Sequence, residues 1–119
     1  MSQISLSAAR DLLSKLLSER IPLRALFVSP SGVRSLMPGF VDSISQHNGL
    51  GISESGPPID VTRAFFNVLP LSECTFWYGE RRELAEEMRA SLPPESDDES
   101  ALSIRLPQSE DVLTLFFTI

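Results

Sequence analysis

Trp77, Tyr78, Arg81 and Arg82 form the one grouping in this chain that combines aromatic and cationic side chains. Such groupings recur at binding hot spots, and guanidinium groups beside an aromatic wall can hold a carboxylate or a phosphate. The plainer alternative is strand alternation, which would send Phe76 and Tyr78 to one side and Trp77 to the other, with the arginines solvated. The other reactive residue types are sparse. Gly51-Ile52-Ser53-Glu54-Ser55-Gly56 falls one residue short of the G-x-S-x-G nucleophile elbow, and His47, the sole histidine, precedes it instead of following. His47 is read as an exposed turn residue. Cys74, the sole cysteine, reads as a small buried hydrophobe at the start of an apolar strand. One His and one Cys cannot supply a metal-ligand spacing. Glu95, Asp97, Asp98 and Glu99 lack the alternating oxygens and central glycine of a calcium loop, and are read as a solvated stretch. No phosphate-cradling glycine loop is complete, and no catalytic constellation, cofactor site or metal site is expected.

The composition narrows the function classes further. The 119 residues allow one domain, 1–119, whose core would bury roughly two thirds of the unfolded surface. Apolar residues make up 42% and charged residues 22%, a soluble globular composition. Ten Lys and Arg against sixteen Asp and Glu give a net charge of −6, the wrong sign for neutralising many phosphates, so nucleic acid is disfavoured as a partner. A lone cysteine forms no intramolecular disulfide, which suits a reducing cytoplasm. The opening residues show no signal-peptide pattern, and no apolar run is long enough to span a membrane.

Positioning the candidate residues requires elements, and the pattern supplies them. Leu6, Ala9, Leu13, Leu16 and Leu17 recur at three- and four-residue steps, predicting an amphipathic helix within 1–20, capped by Ser5 or Ser7 and stopped by Pro22. Asp11 and Lys15 lie four apart on its surface. From Leu23 the chain changes to short β-type runs: 23–28, a Ser29-Pro30-Ser31-Gly32 turn, and a strand from Val33 toward Ser45 with a bulge or bend at Pro38-Gly39. Asn48-Gly49 marks a reversal into a strand over 50–53. The spacing of Val61, Ala64, Phe65, Val68 and Leu69 admits a helix, while their composition favours a strand, and a strand is preferred. Cys74 to Tyr78 reads as a strand. Leu84, Ala85, Met88 and Leu92 predict a second helix near 80–92, followed by the acidic loop 93–100. Residues 101–106 and 112–119 form a terminal hairpin.

These elements predict a mainly β, α+β fold: a small, bent antiparallel sheet or SH3-like or Sm-like barrel over 21–119, with an N-terminal helix and one inserted helix. The stretch Gly32-Val33-Arg34-Ser35-Leu36-Met37-Pro38-Gly39-Phe40-Val41-Asp42-Ser43-Ile44-Ser45-Gln46-His47-Asn48-Gly49-Leu50 resembles the first half of an Sm-like protein, with Gly39, Asp42 and Asn48 as the matching positions. The resemblance implies oligomeric rings and uridine-rich RNA binding through Asp42 and Asn48. The family's second, glycine-containing strand motif has no counterpart in 101–119.

The function expected from the residues is a non-catalytic binding or scaffold module acting through protein contacts or self-association. Its motive is the run Val112-Leu113-Thr114-Leu115-Phe116-Phe117-Thr118-Ile119, read as a β-edge that invites pairing or burial. The alternatives are a pocket for a small anion at Trp77, Tyr78, Arg81 and Arg82, or weak RNA binding of the Sm-like type.

Overall fold

A computed structural model describes residues 1–32, 34–45, 49–54, 64–68, 71–84, 99–107 and 110–118. In chain order they form β1 (Ser2–Ile4), α1 (Leu6–Ser18), β2 (Leu23–Val28), β3 (Arg34–Ser45), β4 (Gly49–Glu54), β5 (Ala64–Val68), β6 (Thr75–Glu80), β7 (Ser100–Arg105) and β8 (Val112–Phe117). Single 3-10 turns sit at Leu71–Glu73 and Arg81–Glu83.

The start of α1 follows from Ser5, whose hydroxyl accepts the N–H of Ala8 at 3.1 Å and satisfies one of the orphan donors of the first turn. Its end is a Schellman closure: Ile21 N–H reaches the Leu16 carbonyl (3.1 Å), Arg20 N–H reaches Leu17 (3.3 Å), and Arg20 takes the left-handed φ of 48°. Pro22 then stands just beyond the cap. The Arg20 guanidinium lies 5.2 Å from the centre of the Phe40 ring, so the end of α1 is also tied to β3. On the helix surface Lys15 pairs with Glu19 at 3.9 Å.

All eight strands join one antiparallel sheet in the order β1-β6-β7-β8-β2-β3-β4-β5. The fold is therefore mainly β with an N-terminal helix. The β2–β3 hairpin turns where expected, Gly32 donating to the Ser29 carbonyl at 2.9 Å with a φ of 83° that a glycine reaches without strain. β7 and β8 form the expected terminal hairpin, its turn fastened by Leu106 N–H to the Asp111 carbonyl (3.0 Å).

Alternation along the strands gives the sheet two distinct faces. One carries Leu23, Ala25, Phe76, Leu102, Ile104, Leu113, Leu115 and Phe117, and α1 lays Ala9, Leu13 and Leu16 into the same core. Fully burying one such leucine contributes about 1.5–3 kcal/mol. The opposite face holds a second, smaller cluster of Leu26, Ala101 and Phe116, against which Met1, Val28 and Leu84 pack.

Several expectations are corrected. The register break in β3 falls between Val41 and Ser43 instead of at Pro38-Gly39. Pro38 stays in register with Arg24, and among the described residues the β4 ladder ends at Gly39, opposite Glu54. Among the described residues only the β2 side is laddered at Pro38, and a residue without an N–H fits such a half-edge position. The run 112–117 is no edge: β8 is paired on both sides, to β7 and β2, and Leu113 through Phe117 are buried. The strand preferred within 61–69, by contrast, is present over Ala64–Val68, as expected. Of the helix expected near 80–92, Glu80 ends β6, Arg81–Glu83 make one 3-10 turn and Leu84 is extended, while 85–92 lie outside the described residues. So do 93–98, His47 and Asn48.

Candidate functional site

One end of the second face is built by four neighbouring chain segments in register. Arg24 of β2 sits directly opposite Pro38 of β3 on one side and Phe116 of β8 on the other, and Phe116 is opposite Ala101 of β7. Directly paired residues share a face. Glu99, two residues before Ala101, returns to that face by strand periodicity. The result is a row, Pro38, Arg24, Phe116, Ala101, beside which Glu99 meets Arg24.

There Arg24 Nη2 donates to Glu99 Oε1, closing an ion pair across the sheet end. The Arg24 side chain is 21% exposed and that of Glu99 13%, so the pair is largely withdrawn from solvent. Glu99 is held in place through its backbone, since its carbonyl accepts the Arg81 N–H at 2.8 Å. Its second carboxylate oxygen, Oε2, is buried and has no hydrogen-bond partner among the described residues. A buried acceptor in that state costs about 1–3 kcal/mol. Above the row opens a cleft of about 390 Å³, bounded by Pro22, Pro38 and the β8 end at Phe116–Thr118, with Arg24 and Glu99 as its charged members.

The sequence reading of Glu99 as one more solvated acid is thus corrected: it leaves the acidic stretch and enters the sheet end. Neither Arg24 nor Glu99 was singled out. The available signal was an arginine two residues past Pro22 in an otherwise apolar strand, and an acid immediately ahead of the Ser100–Arg105 run.

The four residues singled out from the sequence are distributed differently. Tyr78 belongs to the helix-side core, stacked on Phe117 with ring centroids 6.4 Å apart, its hydroxyl donating to Ser100 Oγ at 3.3 Å. Trp77, next in the strand, faces the other way, paired across β6 with Ser103 of β7 and Gln3 of β1. Arg81 is buried, 3% exposed, at the turn that anchors Glu99. Arg82 is more than half exposed and pairs through Nε with Glu80 Oε2 at 2.6 Å. Strand alternation and the 3-10 turn separate the four, and the neighbour that Arg81 shares with the cleft is Glu99. The Sm-like matches divide likewise: Gly39 and Asp42 are in β3, Asp42 at the register break, and Asn48 is outside the described residues.

Two ionisable groups at opposite ends of β6 are shifted. At the Arg81–Glu83 turn, Glu83 accepts the Glu80 N–H at 2.6 Å and the Met1 ammonium at 3.3 Å. The backbone bond first, then the ammonium, hold its carboxyl below the usual carboxylate range. Burial, with a smaller push from Glu73, raises the Cys74 thiol above its usual value, which keeps it protonated and a poor nucleophile at neutral pH. Among the described residues no group of three or more His, Cys, Asp or Glu could hold a metal ion, and no helix is long and apolar enough to cross a membrane.

No protein-family model, curated protein or solved structure matches this chain.

Proposed function

We propose that this chain is a non-catalytic binding module that works by self-association, adding the β5 edge of one copy to that of another. The observation that supports this reading is the sheet order. β8, the run that first suggested an edge, is interior, whereas β5 ends the sheet and pairs only with β4 among the described residues. Its sequence, Ala64-Phe65-Phe66-Asn67-Val68, carries no charge or proline of the kind that blunts a strand edge against pairing. β1, at the other end, is three residues long and a poorer template. The single cysteine fits a reducing, cytoplasmic setting for such a module.

Native mass spectrometry over a range of protein concentrations tests the reading. The expected result is a dimer, the assembly that closes when two β5 edges pair, whose fraction rises with concentration. Successive strand residues send their N–H groups to opposite sides. Of Phe66→Pro and Asn67→Pro, one therefore removes a donor from the outer side of β5 and the other breaks a bond to β4. The variant that keeps the wild-type circular dichroism should lose the assembly. A chain that stays monomeric to millimolar concentration overturns the reading. Salt-sensitive binding of a uridine oligomer by a ring-shaped assembly would replace it with the Sm-like one.

A further inference from the structure

We propose that Gly79, Glu80 and Glu83 form a site for the free amino terminus of an extended segment headed by methionine. Residues 1–4 fill it here, and blocking the amine uncovers the edge of β6. The carboxylate is set before the amine arrives. Glu83 Oε2 accepts the Glu80 N–H at 2.6 Å, which fixes the group at the Arg81–Glu83 turn and leaves Oε1 for the Met1 ammonium, 3.3 Å away. An acceptor oriented in advance lowers the ordering cost of the contact. The first side chain is selected too: that of Met1 is only 11% exposed and packs with Leu84 on the Leu26, Ala101 and Phe116 cluster. Gly79 makes the room, since a Cβ there would run into Glu83 Oε2 and stand 2.9 Å from Met1 Cγ. Methionine, unbranched and adaptable, suits so narrow a space. From Ser2 onward the ladder to Tyr78, Trp77 and Phe76 takes over, and Ile4 reaches the helix-side core. Strand addition and capture of a terminal amine are both established modes of peptide recognition, and this site combines them.

The amine matters because little else holds β1. The strand is three residues long, Ser2 and Gln3 are exposed, and β6 is its only ladder partner among the described residues. Its hold therefore comes from its two ends, Met1 and Ile4. An acyl group on the Met1 amine removes the charge that Glu83 meets and adds bulk at the contacting atom. Met1 then leaves Glu83, and with it the space over Gly79. On its inner side β6 is paired to β7 over Thr75–Glu80, and β1 is its outer partner. Freed of β1, all six residues of β6 present an unpaired edge, a longer template than β1 itself.

Native-state hydrogen exchange, read amide by amide by NMR on the 15N-labelled full chain, tests the site. The chain with a free Met1 amine is compared with the same chain Nα-acetylated, with Glu83→Gln, and with Glu83→Gln acetylated. Glutamine keeps an oxygen for the Glu80 N–H and loses the charge. Alternate β6 amides point to β1 and the others to β7, so the inner set is the internal control. The expected result is outer amides exchanging roughly fivefold faster on acetylation or in Glu83→Gln, the upper range for one exposed ion pair, with the inner amides unchanged. Acetylation should add little in Glu83→Gln, because the amine acts through that carboxylate. Outer amides unmoved by acetylation, or moved equally with and without the Glu83 charge, overturn the proposal. Faster exchange of both sets also overturns it, since the sheet and not β1 alone would have opened. None of these readings depends on protein concentration, so self-association at β5 and this site can each fail alone.

Discussion

Two hydroxyls in the middle of the sheet show what a single side chain contributes here. Ser103 and Thr114 are directly paired across β7 and β8, buried at 8% and 0% exposure, and their oxygens are 2.9 Å apart. Each is the other's polar partner on a face otherwise filled by Leu26, Ala101 and Phe116. Removing one hydroxyl leaves its partner buried without that bond, so Thr114→Val should cost about 1–3 kcal/mol in urea unfolding. Replacing both, with Ser103→Ala added, should recover much of the loss, because two apolar groups of similar shape need no partner. A double-mutant loss smaller than the sum of the two single losses is the expected outcome of that cycle, and strictly additive losses would show that the two hydroxyls do not depend on each other. The Arg24–Glu99 pair follows the same logic with higher stakes, since Arg24→Ala would leave a buried carboxylate behind.

Among the elements, α1 was the most legible, because everything that defines it is local: leucines at helical spacing, a serine cap and a proline just past the end. Its N-cap can be weighed directly. Ser5→Ala removes the acceptor for Ala8 N–H and should lower stability by about 1 kcal/mol, measured as a shift of the urea midpoint at unchanged slope. An unchanged midpoint would mean that water replaces the cap without loss. β2, its turn and the β7–β8 hairpin were legible for the same reason, each being a run of apolar and β-branched residues bounded by turn formers. β1 was not, because Ser2-Gln3-Ile4 has no periodicity and becomes a strand only by pairing with Trp77 and its neighbours far along the chain. The bulge was misplaced because Pro38 looks like a defect in an isolated strand. Its tolerance depends on where β4 stops pairing, and that information lies in another segment. The candidate cleft was illegible in the same way: Arg24 and Glu99 are 75 residues apart, and only the β7-β8-β2 order makes them neighbours.

At the scale of the whole molecule the decisive fact is which strands lie inside the sheet. A run such as Leu113-Thr114-Leu115-Phe116-Phe117, apolar but for Thr114, fits a strand buried on both faces better than an edge. β8 is such a strand, with α1 and its core on one side and the Leu26 cluster on the other. Opening it would break two ladders and two cores at once, whereas opening β5 or β1 breaks one ladder. Native-state hydrogen exchange should therefore be graded across the sheet, slowest in β7, β8 and β2 and fastest in β1 and β5. Self-association adds a signature to that gradient: the β5 amides, and they alone, should become more protected as protein concentration rises, since a second copy would then supply the missing ladder. Concentration-independent exchange in β5 would leave the gradient intact and remove the second strand from it. Exchange in β8 as fast as in β5 would be a deeper failure, because it would contradict the sheet order from which both the edge and the cleft are argued.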